Sequence, residues 1–277
     1  MTGNGSPLPE FSRPPLVEVA LSVQFEPIAL HAAHFGLFWQ RIRSRFPKTS
    51  EQPPLPPVIE RFGVMPLLQQ QVQFGMGMLL PRCWFTNDED SELLQLQSDR
   101  LILNWRKLGN ESIEYPRYRK LRVELEQEYS LLGSFLKDER LGELRPTQCE
   151  LTYVNQIVLP RPATPSGSLN PLSVFSAWQP LIDSFLPEPE TAGTTLSFVM
   201  PGPNSAPAGR LYFTSGSSVR ISDNNPMIQF QVICRGAPDG PGAEAVFRFM
   251  DIAHDWAVRG FASITSKEMQ TKWGRVR

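Results

Sequence analysis

Val17, Val19, Leu21, Val23 and Phe25 alternate with Glu18, Ala20, Ser22 and Gln24. A period of two marks a strand with one covered face. From His31 to Phe46 the spacing becomes helical, placing Phe35, Phe38, Trp39, Ile42 and Phe46 on one side, and Pro47 stops the helix. Short strands are predicted at Val58–Met65, Val72–Met78 and Cys83–Thr86. Leu93–Gln97 and Leu101–Arg106 read as a hairpin turning at Ser98-Asp99. Tyr118, Leu121, Leu125, Leu132 and Phe135 then mark a second helix, and Gly142 ends that region.

The remainder follows the same plan. A strand at Cys149–Leu159 precedes a helix at Leu172–Phe185, strands at Thr194–Met200, Arg210–Thr214, Ser218–Ser222 and Met227–Arg235, and a last helix at Ala243–Ser263. Single residues echo across the halves. Trp39, Ile42 and Phe46 recur as Trp178, Leu181 and Phe185, Trp84-Phe85-Thr86 as Tyr212-Phe213-Thr214, and the strand ending in Arg106 as the strand ending in Arg235. The pattern predicts duplication of a unit of about 130 residues, within the ordinary size of a domain, with 1–146 as one α+β repeat and 147–277 as the other. Each would read β-α-β-β-β-α. Short turns between strands, without helical crossovers, make the class α+β, an antiparallel sheet with helices on one face. The two units are expected to join edge to edge in one sheet, because pairing removes exposed edges.

Composition narrows the function classes. The net charge is −1 and acids and bases are scattered. That excludes the concentrated basic field of a nonspecific nucleic-acid binder. No apolar run approaches the roughly 20 residues that cross a bilayer, and Met1–Pro9 lacks the features of a secretory signal. Cys83, Cys149 and Cys234 are far apart, odd in number and set in apolar strands, so they are expected to be reduced and buried in a cytoplasmic protein. The 27 prolines concentrate in connections, among them Pro47–Pro57.

No catalytic or cofactor motif stands above background. His31 and His34 share a helix face but have no third ligand nearby in sequence. His254 falls on an apolar helix face with Phe247, Met250, Ala257 and Phe261, as a core histidine bonded to backbone would. Arg248, Asp251, Asp255 and Arg259 form a polar stripe beside it. Phosphate loops and nucleophile elbows are missing. Neither metal nor cofactor is predicted, and catalysis is not favoured. The distinctive feature is a set of amides and arginines at the solvent-side positions of strands: Gln95, Gln97, Asn104, Arg106, Gln229, Gln231 and Arg235, with Gln24 and Asn155 weaker. Lys and Glu are the commoner choice for solubility alone, so this set suggests hydrogen-bonded recognition, with Arg106 and Arg235 paired for an anion or a partner's carboxylates.

Several blocks in order carry a resemblance: Pro14-Pro15-Leu16-Val17-Glu18-Val19, Leu80-Pro81-Arg82-Cys83-Trp84-Phe85, Tyr115-Pro116-Arg117-Tyr118, Glu150-Leu151-Thr152-Tyr153-Val154-Asn155 and His254-Asp255-Trp256. Over its whole length the chain resembles a sporadically distributed bacterial family of uncharacterised (hypothetical) proteins of about this length. The resemblance implies a stand-alone cytoplasmic protein with an accessory role, such as defence or a toxin–antitoxin pair, and supplies no reaction or catalytic residue. The expected function is a non-catalytic binding protein that recognises a protein or small anionic ligand on its polar sheet face, without nucleic acid or membrane. The alternative is a small-molecule enzyme or carrier with a pocket between helices and curved sheet, lined by Tyr153, His254 or Trp105.

Overall fold

A computed structural model describes residues 7–63, 80–158, 174–176, 185, 193–202, 206–220 and 223–277. In chain order its elements are β1 (Leu16–Phe25), α1 (Ala32–Ile42), β2 (Lys48–Gln52), β3 (Arg82–Thr86), β4 (Glu92–Gln97), β5 (Arg100–Arg106), α2 (Tyr118–Asp138), β6 (Pro146–Val158), β7 (Gly193–Pro201), β8 (Pro207–Arg220), β9 (Asn225–Gly236), α3 (Ala243–Ile264) and α4 (Lys267–Lys272). The nine strands among the described residues form one antiparallel sheet in the order β2-β3-β4-β5-β1-β6-β9-β8-β7. The class is therefore α+β.

The alternating apolar positions build one side of this sheet. Val19, Leu21 and Val23 of β1 line up with Leu103 and Leu101 of β5 and with Tyr153, Leu151 and Cys149 of β6. All belong to the cluster that α1, α2 and α3 close from above. The period-3.6 stripe of α2 puts Leu121, Leu125, Leu132 and Phe135 into the cluster with no exposed surface. Phe38 of α1 reaches β3 and α2 together, edge-on to Phe85 at 6.0 Å and to Phe135 at 5.4 Å. Helices α2 and α3 meet through Tyr129 and Phe247, edge to face at 6.1 Å. At Gly260 the last of these helices approaches β8 so closely that a Cβ would lie 2.8 Å from both Leu211 and Phe213. All three cysteines are buried and unpaired, with Cys83 held up to about 11 by burial, as inert hydrophobes.

Several predicted boundaries move. Ser215-Gly216-Ser217, the gap left between two predicted strands, continues the ladder: Arg210–Thr214 and the start of Ser218–Ser222 are one strand, in which Gly216 pairs with Gly193 on one side and Gln229 on the other. Small side chains there imitate a turn signal, and a ladder on both flanks overrides it. Lys48–Gln52, inside a predicted Pro-rich connection, is an edge strand; its Lys, Thr, Ser and Glu are exposed, so no alternation betrays it. Short α4 was also missed. Residues 58–63, predicted as a strand, pair with none. Strand Val72–Met78 and nearly all of helix Leu172–Phe185 lie outside the described residues. Phe185, matched in sequence to buried Phe46, is 97 % exposed.

Phe38→Ala should lower the unfolding free energy by about 3–5 kcal/mol, because it opens a void against two facing rings. Urea denaturation measures it, and a loss below about 1 kcal/mol would place Phe38 outside the packed core.

Candidate functional site

Pro116 bars helix before Arg117, and Arg117 itself turns the chain with φ 74 and ψ 151. That region is close to glycine-only, so it stores strain at this residue. Helix α2 then starts with Tyr118 buried and Arg119 exposed. Facing it, α3 presents Asp251, His254, Ala257, Val258 and Phe261. Tyr153 and Asn155 of β6 and Val232 of β9 form the floor. The segment Leu8–Pro14 makes the remaining wall, zipped to Trp273–Arg277 by backbone hydrogen bonds between Ser12 and Gly274 (3.0 Å) and Val276 and Glu10 (2.8 Å). These parts enclose a cavity of about 860 Å³, within the usual range for small-molecule sites.

A network of rings lies at its centre. The Tyr153 hydroxyl and His254 Nδ1 are 2.8 Å apart, and Tyr115 lines the cavity with them. Tyr118 stacks on the His254 imidazole, 3.9 Å between centroids and 9° from parallel, and donates to Asp251 at 2.7 Å. Burial lowers His254 to about 4. Burial likewise raises Tyr115 to about 12 and pushes Tyr118 and Tyr153 upward. All four rings are therefore neutral at pH 7, donating and accepting hydrogen bonds without charge. Groups titrating that far from neutrality transfer protons poorly at pH 7, so the arrangement suits recognition better than acid–base work.

The mouth is unevenly charged. Glu10 is paired with Arg277 at 2.9 Å, Asp251 with Arg122 at 3.4 Å and Asp255 with Arg259 at 3.1 Å. Among the described residues Arg117 and Arg119 have no carboxylate partner, and Arg117 donates only to the Phe11 carbonyl at 3.2 Å. Of the predicted pocket residues, Tyr153 and His254 line the cavity, while Trp105 packs behind it against Tyr115 at 5.2 Å. The expectation that His254 bonds backbone is corrected: a tyrosine hydroxyl takes its place. Of the predicted stripe, only Asp255 and Arg259 pair with each other; Arg248 turns to Asp239 and Glu244. Sequence reasoning missed Tyr115, Tyr118, Arg117 and Arg119 as lining, although the dense Tyr-Pro-Arg-Tyr run stood out. His31 and His34 cap α1 by bonding each other, the His31 amide donating to His34 Nδ1 at 2.9 Å, and no metal-ligating cluster occurs among the described residues.

On the opposite side of the sheet the predicted solvent-facing amides prove to be largely internal. A Pro-rich strap, residues 53–63, crosses this side and seals its middle. Gln97, Arg100, Gln24 and Gln148 stand level on four adjacent strands. Pro53, Pro54, Pro56 and Pro57 have no N–H. The amides of Leu55, Val58 and Glu60 each donate at 2.9 Å to a glutamine oxygen, those of Gln97, Gln24 and Gln148 in turn. Carbonyls of Leu55 and Pro56 accept from Gln97 and Arg100. Buried Glu60 ends the run, ion-paired with Arg210 and accepting from Tyr212 at 2.7 Å.

Gln95 and Asn104 are buried too, inside a chain of bonds from Arg82 to Gln95 (2.9 Å), Gln95 to Asn104 (2.6 Å) and Asn104 to Glu18 (2.6 Å). Asn155 is on the helix side, where it donates to the Phe230 carbonyl. Gln229, Gln231, Arg106 and Arg235 remain half-buried. Arg235 is bound to Glu150 at 2.6 Å, and Arg106 donates to the Asp90 carbonyl and stacks on Trp84 at 5.4 Å. The two arginines do not form a pair. Arg106 stands level with Glu18 and Arg235 with Glu150, itself level with Ser22. They are thus about 13 Å apart along the strands and about 14 Å across them, too far for one small anion.

No family model matches the chain, and no curated protein matches its sequence.

Because His254 is depressed in the folded chain, the unfolded chain takes up its proton first as pH falls. His254 should therefore cost stability progressively from about pH 6.5 down to about 4, by up to about 3 kcal/mol. NMR titration should find its imidazole neutral at pH 5, and His254→Asn should flatten the stability slope over that window. An imidazole midpoint near 6.5 would show the ring to be solvated instead.

Proposed function

We propose that the chain is a non-catalytic binding protein whose ligand is a small molecule with an anionic group, held in the cavity between the helices and the sheet. The observation that carries this is the set of neutral rings, Tyr115, Tyr153 and His254, lining a roomy cavity, with Arg117 and Arg119 at its mouth without a carboxylate partner among the described residues. The rings give hydrogen bonds and flat faces to an uncharged body, and the arginines attract the anion. The strained Arg117 backbone supports the same role, since strain persists where something specific is to be held in place.

Recognition of a protein partner on the reverse face is the second proposal. Half-buried Arg106, Gln229 and Gln231 favour it; the buried Gln95, Gln97 and Asn104 count against it. We also propose membership of the sporadic bacterial family, an accessory cytoplasmic role, and descent of the two halves from one duplicated unit. Among the described residues no helix is long and apolar enough to cross a membrane. Duplication draws support from the strand order, which runs outward as β1-β5-β4-β3 on one side and β6-β9-β8-β7 on the other. By that order β3 corresponds to β7, so the match of Trp84-Phe85-Thr86 in β3 to Tyr212-Phe213-Thr214 in β8 is one strand out of step.

A panel of aromatic carboxylates and phosphate monoesters, screened by thermal shift and calorimetry, tests the proposal. Arg117→Ala with Arg119→Ala should weaken the best binder by about 10- to 100-fold, the loss of one or two charge-assisted hydrogen bonds. Arg106→Ala should change nothing. The opposite ranking would move the site to the reverse face.

A further inference from the structure

The geometry points to a buried water site beneath the strap. A void of about 10 Å³ lies under Val58, bounded by Ser22, Gln24, Arg100, Gln148 and Glu150 among others. That is about the space one water needs. Two sealed polar atoms on its lining residues have no protein partner, Arg100 Nε and Gln148 Nε2. Both are donors. Gln148 Oε1 accepts from the Glu60 amide, and Arg100 Nη2 donates to the Pro56 carbonyl and to Gln24 Oε1.

Two unmet donors beside a one-water void call for an acceptor that can also donate. Glu150 supplies the other end. Its carboxylate lines the void and, with Arg235 and Thr152 as donors at 2.6 and 3.2 Å, has lone pairs to spare. One water accepts from Gln148 Nε2 and Arg100 Nε and donates to Glu150, the three bonds typical of internal waters.

Charge selects the same occupant. The described hydrogen-bond acceptors of buried Arg100, Gln24 Oε1 and the Pro56 carbonyl, are both neutral, while Asp99 and Glu150 are the carboxylates that act on it through space, and a bonded relay to such a counter-charge lowers the cost of burying the cation. The water connects it to Glu150. Chloride would fill more space and face the carboxylate, while a cation would face Arg100 and Arg235. The water therefore belongs to the seam that fastens the strap to the sheet.

A crystal structure of the full chain, at a resolution that orders internal waters, tests the site. A single peak about 2.7–3.1 Å from Gln148 Nε2 and Arg100 Nε is expected. An empty void, or an anomalous peak there after bromide soaking, would overturn the proposal. Ser22→Thr gives an independent readout, since its added methyl enters the void and keeps the hydroxyl. If it displaces a bonded water, the melting midpoint should fall by about 2–4 °C. A rise would mean that the methyl had filled dry space, and that too would overturn it.

Discussion

A nine-stranded sheet has two broad faces, and every element outside it is arranged by the need to cover them. Helices α1, α2 and α3 meet that need on one side through apolar stripes at helical spacing. The other side is answered with hydrogen bonds. A level row of Gln97, Arg100, Gln24 and Gln148 meets a strap whose four prolines carry no donor, and the glutamines take up the amides of Leu55, Val58 and Glu60. Buried amide–backbone contacts of this kind are exacting in register, since each unmet donor is costly. Glu60, paired with Arg210 and Tyr212, locks the far end.

The strap seals the middle of one face, and the cavity of the proposed site opens on the other. On the helix side, the apolar cover parts where Pro116 and Arg117 open α2 and where α3 carries His254 in place of a hydrocarbon. Burial then fixes the character of the cavity by keeping the imidazole and the three phenols uncharged at pH 7. Such a site is selective through shape and hydrogen bonding. At its mouth the acids are already paired and, among the described residues, Arg117 and Arg119 have no carboxylate partner, which is what the proposed anion recognition rests on. The zipped segments Leu8–Pro14 and Trp273–Arg277 form a further wall, anchored by Phe11 and Trp273 against Phe261.

Periodicity made the layered plan legible. The alternation Val19-Leu21-Val23 and the stripe Leu121-Leu125-Leu132-Phe135 report which side of an element is buried, and both packed as read. Edge strand β2 was invisible because, with neither side buried, it has no alternation to show. The amides misled for a related reason. Polarity in a strand says that a side chain has hydrogen-bonding partners, and leaves open whether water or another segment supplies them. Gln97 and Arg106 look alike in sequence, yet one is held by the strap and the other stays half-open. Tyr153 and His254 were legible as lining because each shares a face with core residues. Arg117 and Arg119 were not, since their value depends on which carboxylates nearby are already taken, and that is decided only in three dimensions.

Hydrogen–deuterium exchange of the full chain, with and without the small-molecule fraction of a bacterial extract, tests the central claim most directly. Ligand in the helix-side cavity predicts added protection in residues 8–16, 115–122 and 251–261, with the strap at 53–63 unchanged. Protection confined to the strap and to β5 and β9 would contradict it and place recognition on the opposite face.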